Sequence, residues 1–159
     1  MPTTQPNPGS AFAGGIYAGI MRGASVVLPA YHLIVATGPI ADQKLAWGPY
    51  KKIKGSDCEF DGLANTQTII ASGLECPAAQ ACVAADIDGH ADWYLPSRRE
   101  LALCYANVPD LFKETWYWSS TQCSVNYAWG QDFVNGNQYY DGKKFEGRVR
   151  FVRRIQLST

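Results

Sequence analysis

Between Gln122 and Gly142 the sequence holds three Asn and three Tyr beside Ser124, Gln131 and Gln138. Such side chains carry recognition chemistry. Tyr offers a large, rigid, amphipathic contact area at low entropic cost, while Asn, Ser and Gln supply adaptable hydrogen bonding. Gln122, Ser124, Asn126, Tyr127, Asn135, Asn137, Tyr139 and Tyr140 are on this ground the candidate ligand-binding residues. Groups capable of more reactive chemistry are scattered. His32 lies between Tyr31 and Leu33 and reads as a hydrogen-bonded strand histidine, and His90 stands in a turn; neither has the second His or clustered Cys that a metal site needs. "DIDGHAD" at 86–92 lacks the spacing and the terminal Glu of a calcium loop. Ser119, Ser120 and Thr121 sit in no G-x-S-x-G elbow and are expected to satisfy backbone groups in a tight turn. Five Cys, at 58, 76, 82, 104 and 123, form no CxxC pair, so most are expected to be small buried hydrophobes. A Cys76–Cys82 or a Cys104–Cys123 bridge is left open. No catalytic residue, metal or cofactor is expected.

The elements that would present these residues follow from local patterns. "GGIYAGIM" and "LPAYHLIVA" flank a Gly23-Ala24-Ser25 break, as a β-hairpin or two successive strands would, with Pro29 at a bulge or an edge. From Asp61 to Gly73 the sequence offers an acidic N-cap and a closing Gly, and Pro77 suits the first turn of a second, Ala-rich helix. Ser97 and Glu100 form an S-x-x-E capping box, after which Leu101, Cys104, Tyr105 and Val108 fall on one stripe; the spacing predicts a core-packed helix over 97–108. From Trp116 onward short strands alternate with turns. Asn135-Gly136 is a type I′ hairpin pair, Asp141-Gly142 marks the next turn, and "RVRFVRRI" closes the meander. Trp93, Leu95, Trp118, Trp129, Phe133 and Val149 are the expected core. Strands, then two or three helices, then short strands make the chain α+β. Residues 1–14, with three Pro, read as an extended segment ahead of one domain over 15–159.

Composition narrows the function classes. A chain of 159 residues is long enough for one well-packed domain. Fourteen basic and fourteen acidic residues cancel, so no overall field draws the protein to nucleic acid or an anionic membrane. The N-terminus lacks a basic region followed by an apolar run, and no window approaches a membrane span; synthesis in a cytoplasm without a signal peptide is expected.

"DWYLPSRRELALCY", "YWSST", "AWGQDFVNG" and "VRFVRRI", in this order, resemble the C-terminal domain family of bacterial collagen-like adhesins (Lcl), most strongly over Asp92 to Ile155. The resemblance implies a C-type lectin-like fold. That fold is shared with formylglycine-generating enzymes and with the variable proteins of diversity-generating retroelements. It also implies a binding module, since the arginine- and glycine-rich block and the cysteine pair of the enzymatic relatives are missing. In the retroelement relatives the varying residues lie in the C-terminal strands and loops and are drawn from Asn, Tyr, Ser and Asp. Asn126, Tyr127, Asn135, Asn137, Tyr139, Tyr140 and Asp141 are all of those types.

The expected function is therefore a non-enzymatic ligand-binding module, an adhesin or receptor-binding protein associated with a phage tail. A host-surface protein or glycan is the expected ligand, phage tail proteins are further expected partners, and clustering into a homo-oligomer through the N-terminal segment and first hairpin would add avidity. One alternative is nucleic-acid binding through Lys143, Lys144, Arg148, Arg150, Arg153 and Arg154, which outweigh Glu146. Another is a structural oligomerisation module.

Overall fold

The computed structural model describes residues 5–23 and 28–157. It is α+β, with an N-terminal hairpin, three helices and a C-terminal run of strands. The strands are β1 (Ala11–Phe12), β2 (Gly15–Met21), β3 (Tyr31–Val35), β4 (Asp42–Ala46), β5 (Trp116–Gln122), β6 (Tyr127–Asp132), β7 (Gln138–Gly142), β8 (Glu146–Arg150) and β9 (Val152–Gln156). The helices are α1 (Gly62–Ala71), α2 (Pro77–Ala84) and α3 (Arg98–Asn107). One sheet has the order β1-β2-β3-β9 and the other β4-β8-β5-β6-β7.

The helix ends are where local chemistry places them. Asp61 accepts from Ala64 N at 3.0 Å to start α1, and Gly73, at φ 72°, ends it without the steric penalty a Cβ would bring. Pro77 occupies the first turn of α2. Both halves of the capping box form at α3: Ser97 Oγ accepts from Glu100 N at 3.2 Å, and Glu100 Oε1 accepts from Ser97 N at 3.0 Å. Leu101, Cys104 and Val108 are buried and Tyr105 half-buried, as the stripe requires.

Several turns differ from expectation. The two-residue turn with two positive φ angles, 52° and 90°, joins β1 to β2 at Ala13-Gly14. At Asn135-Gly136 only Gly136 is at positive φ, and five residues, 133–137, connect β6 to β7. Phe133 is the cause. Its ring stacks on Phe112 at 4.1 Å and meets Tyr117 edge-on at 5.3 Å, and this burial pulls residue 133 off the hairpin ladder. The next turn lies at Lys143-Lys144, one step beyond Asp141-Gly142, because the Lys143 side chain is drawn inside. Pro29 lies in the connection before β3, while the bulge falls at Ala18, whose carbonyl takes a 2.8 Å hydrogen bond from Asn107 of α3. Ala24 and Ser25 of the predicted break lie outside the described residues.

"RVRFVRRI" is two strands in two sheets. β8 pairs with β4 in the larger sheet, Phe151 is buried at the step, and β9 pairs with β3 in the smaller one. The cores divide at the same point: Phe151 joins Trp47, Trp93, Trp118, Ile69 and Val149, whereas Val152 joins Tyr31, Leu33, Leu101, Tyr117 and Phe133.

The five cysteines are free. Cys76 and Cys82, six residues apart about a helix start, face different directions at ~100° per residue, and Cys104 is enclosed in α3 while Cys123 lies half-buried past β5. Ser119, Ser120 and Thr121 form strand, not turn; two of the hydroxyls do bond backbone, Ser119 donating to Trp129 O at 2.6 Å and Thr121 to Cys58 O at 2.9 Å, while Ser120 Oγ accepts from Asn65 Nδ2 at 3.3 Å. His32 Nδ1 lies 2.7 Å from Tyr17 Oη, the hydrogen-bonded strand histidine that was expected.

Candidate ligand-binding surface

Strand β6 and the edge strand β7 carry the three candidate tyrosines, and their register sorts these onto two faces. Trp129 lies opposite Tyr140, and Gly130 opposite Tyr139. Adjacent residues of a strand point to opposite sides, so Tyr139 and Tyr140 cannot share a surface. On one face Tyr127 and Tyr140 have ring centroids 5.1 Å apart, and Tyr140 meets Trp129 edge-on at 5.4 Å. On the other, Tyr139 stacks on Trp116 at 5.8 Å beside Phe145.

The first face rests on a rigid base. The Arg98 guanidinium lies 3.8 Å from the Trp129 ring centroid. It pairs with Glu59 at 2.8 Å and donates from Nε to Gln138 Oε1 at 3.0 Å. Gln138 in turn donates to Arg98 O at 2.7 Å and to Gln131 Oε1 at 2.9 Å. Every one of these groups has a partner, which fixes the Trp129 rotamer and spends the Arg98 charge within the protein. Burial presses the Arg98 pKa down, opposed by the Glu59 carboxylate. Trp129 is thus a half-buried member of the surface rather than core, because α3 presents Arg98 to it and no apolar layer covers that side.

The eight candidate residues separate accordingly. Tyr127, Tyr139 and Tyr140 are 43%, 42% and 50% exposed. Asn126, Asn135 and Asn137 are exposed and Ser124 is half-buried. The Asn135 side chain is turned back onto its own loop, accepting from Asn137 N at 2.9 Å. Gln122 is a correction: it is buried. Its amide exchanges two 2.8 Å hydrogen bonds with the Ile53 backbone, and its Oε1 accepts from Lys143 Nζ at 2.7 Å. Lys143 also donates to Lys51 O at 2.8 Å and faces the Trp47 ring, and burial pushes its pKa down to about 8. Gln122 and Lys143 therefore staple the 51–53 loop to the sheet.

The C-terminal arginines are committed inside the protein. Arg148 pairs with Asp42 at 2.7 Å, Arg150 donates to the Ala36 and Leu111 carbonyls, Arg153 pairs with Asp92 at 2.7 Å, and Arg154 with Asp61 at 3.0 Å. This pairing takes away the free basic strand on which the nucleic-acid reading rested. No helix among the described residues is long and apolar enough to cross a membrane, and none of their His, Cys, Asp and Glu form a group of three or more that could hold a metal.

Two contributors escaped the sequence reading. Arg98 follows the capping Ser97 and carries no local sign of its reach to Trp129, thirty-one positions on; Phe145 follows two lysines and carries no local sign of its contact with Trp116. A search of curated proteins finds no match. Residues 41–153, which hold all three helices, β4 to β8 and both aromatic faces, match the family model of the Lcl C-terminal domain, and the chain belongs to that family.

Proposed function

We propose that the protein is a non-enzymatic, adhesin-type binding module whose contact surface is the Tyr127–Tyr140–Trp129 face. The observation that carries this reading is an exposed tyrosine pair, Tyr127 and Tyr140, of which Tyr140 meets a tryptophan held by Arg98. Aromatic area of this kind, rigid before the ligand arrives, limits the ordering cost of binding. The membership in an adhesin-domain family supports the same reading. The ligand is a host-surface protein or glycan, and the setting is a phage tail or other surface appendage in which the domain is clustered as a homo-oligomer. The C-type lectin-like frame suits a receptor binder diversified by a retroelement, since Asn126, Tyr127, Asn137, Tyr139 and Tyr140 are exposed and can change without disturbing the core.

The test is the double variant Tyr127→Ser/Tyr140→Ser. It should melt with the wild type yet lose most of its binding to host cells and to arrayed glycans, whereas Tyr139→Ser, on the opposite face, should retain it. Undiminished binding by the folded double variant would overturn the proposal. A strict monomer in light scattering at high concentration would remove the oligomer.

A further inference from the structure

The second aromatic face borders a cleft of about 340 Å³. Trp116 and Phe145 supply its apolar lining, Lys44, Lys113 and Arg148 its cations, and Glu146 its only carboxylate. Lys44 and Lys113 are exposed and have no ion-pair partner among the described residues. Trp116 is 7% exposed, and its indole Nε1 is the single buried side-chain nitrogen or oxygen among the described residues without a hydrogen-bond partner. That nitrogen lies on the ring edge packed against Gly130 of β6, while the opposite, six-membered edge lies against Gly147, which lines the cleft. The cover over Trp116 is thin. Tyr139 and Phe145, 42% and 48% exposed, each touch its ring from the solvent side.

From this we infer that the cleft is a second binding site, for an acidic peptide segment that places one carboxylate beside an apolar side chain. Lys44 and Lys113 receive the carboxylate, and Trp116 and Phe145 receive the apolar neighbour. The charge pattern argues for a single carboxylate over a polyanion. Arg150, Arg153 and Arg154 are bound to internal carbonyls and carboxylates, so the arginines of the C-terminal strands do not extend the positive charge of the cleft. The site is independent of the Tyr127–Tyr140 face, since the sheet lies between them.

The probe is the blocked tripeptide Glu-Phe-Glu, with Gln-Phe-Gln as the neutral control and dextran sulfate as the polyanion, titrated into the intact protein. The readout is the set of five tryptophan indole N–H resonances, with Trp116→Phe identifying the one that disappears. The acidic peptide should shift the Trp116 indole resonance in a saturable way, the neutral peptide should not, and Lys44→Gln/Lys113→Gln should weaken the effect at least tenfold while leaving cell binding through Tyr127 and Tyr140 intact. Equal response to both peptides, an unchanged response in the double lysine variant, or a shift with dextran sulfate alone would overturn the assignment.

Discussion

Removing the Glu100 carboxylate should cost far more than any surface ion pair. Glu100 is fully buried. Its Oε1 accepts from Gly62 N at 3.1 Å and Ser97 N at 3.0 Å, and its Oε2 from Tyr31 Oη at 2.8 Å, Tyr94 Oη at 2.5 Å and Arg154 Nη2 at 3.4 Å. Five donors from α1, the start of α3, β3, β9 and the Tyr94 segment thus converge on one group. In Glu100→Gln the amide oxygen keeps the two backbone donors, and both tyrosine hydroxyls can rotate to accept from the new NH2. Arg154 cannot accept, and it retains Asp61 and Tyr94. One charge-assisted contact is lost, about 2 kcal/mol. Glu100→Ala orphans four donors, Gly62 N, Ser97 N and the two tyrosine hydroxyls, and leaves Arg154 with Asp61 as its one counter-charge, about 4 kcal/mol. At roughly 2–4 °C per kcal/mol for a domain of this size, the melting temperature should fall by about 4–8 °C for Gln and by about 8–16 °C for Ala. Urea titrations followed by tryptophan fluorescence give the free energies directly. If Glu100→Ala costs no more than Ser97→Ala, Glu100 serves only as a helix cap, and the argument for a five-donor hub fails.

Ser97→Ala should cost about 1 kcal/mol, since the hydroxyl both caps α3 and donates to Phe60 O at 2.9 Å; an unchanged melt would contradict the helix start. Gln122→Ala should destabilise by about 2 kcal/mol through the Ile53 groups and the Lys143 ammonium it leaves unpaired, where a contact residue would cost nothing in a urea titration. Trp118→Ala should cost about 3–5 kcal/mol while Tyr127→Ser stays within about 0.5, and comparable losses would mean that the exposed tyrosines are packing. Because burial lowers the Lys143 pKa to about 8 from 10.5, the folded protein binds fewer protons than the unfolded chain between those values, and its stability gains from rising pH there. With Cys76, whose thiol interacts with Lys143, replaced by Ala in both proteins, the chain that keeps Lys143 should accordingly gain on Lys143→Met in urea midpoint between pH 7 and 9.5; the remaining buried thiols and phenols titrate alike in both, so a constant gap would refute the shift.

The parts of this fold legible in the sequence are those whose causes lie within a few residues. The capping box at Ser97 and Glu100, the Asp61 cap and the Gly73 stop each depend on neighbours one turn away. Long-range causes were not legible: Phe133 displaced a predicted type I′ turn because Phe112 and Tyr117 were waiting for its ring, and Gln122 went inside because Ile53 and Lys143 met it there. One error was avoidable. Tyr139 and Tyr140 are adjacent in a strand, and alternation alone assigns them to opposite faces. The eight candidate residues therefore do not make one surface: Gln122 is core, and the sheet divides the exposed tyrosines between two faces.

The step at Phe151 bears on when the protein can fold. β9 is the last strand of the chain, and it completes the sheet that begins with β1 and β2 by pairing along all of β3, some 120 positions earlier, with Val35 against Val152 and Tyr31 against Gln156. While a ribosome is still making the chain, β3 therefore lacks a neighbour on one side, and Tyr31 and Tyr94 lack the Arg154 that lies over both rings. Folding of the smaller sheet must wait until residue 156 has left the exit tunnel. A topology that closes its ends together ties the fold to non-local contacts, and such contacts form slowly. Nascent chains stalled just short of β9 should consequently be open to proteases and chaperones over the smaller sheet, so β9 acts as a completion signal for that half.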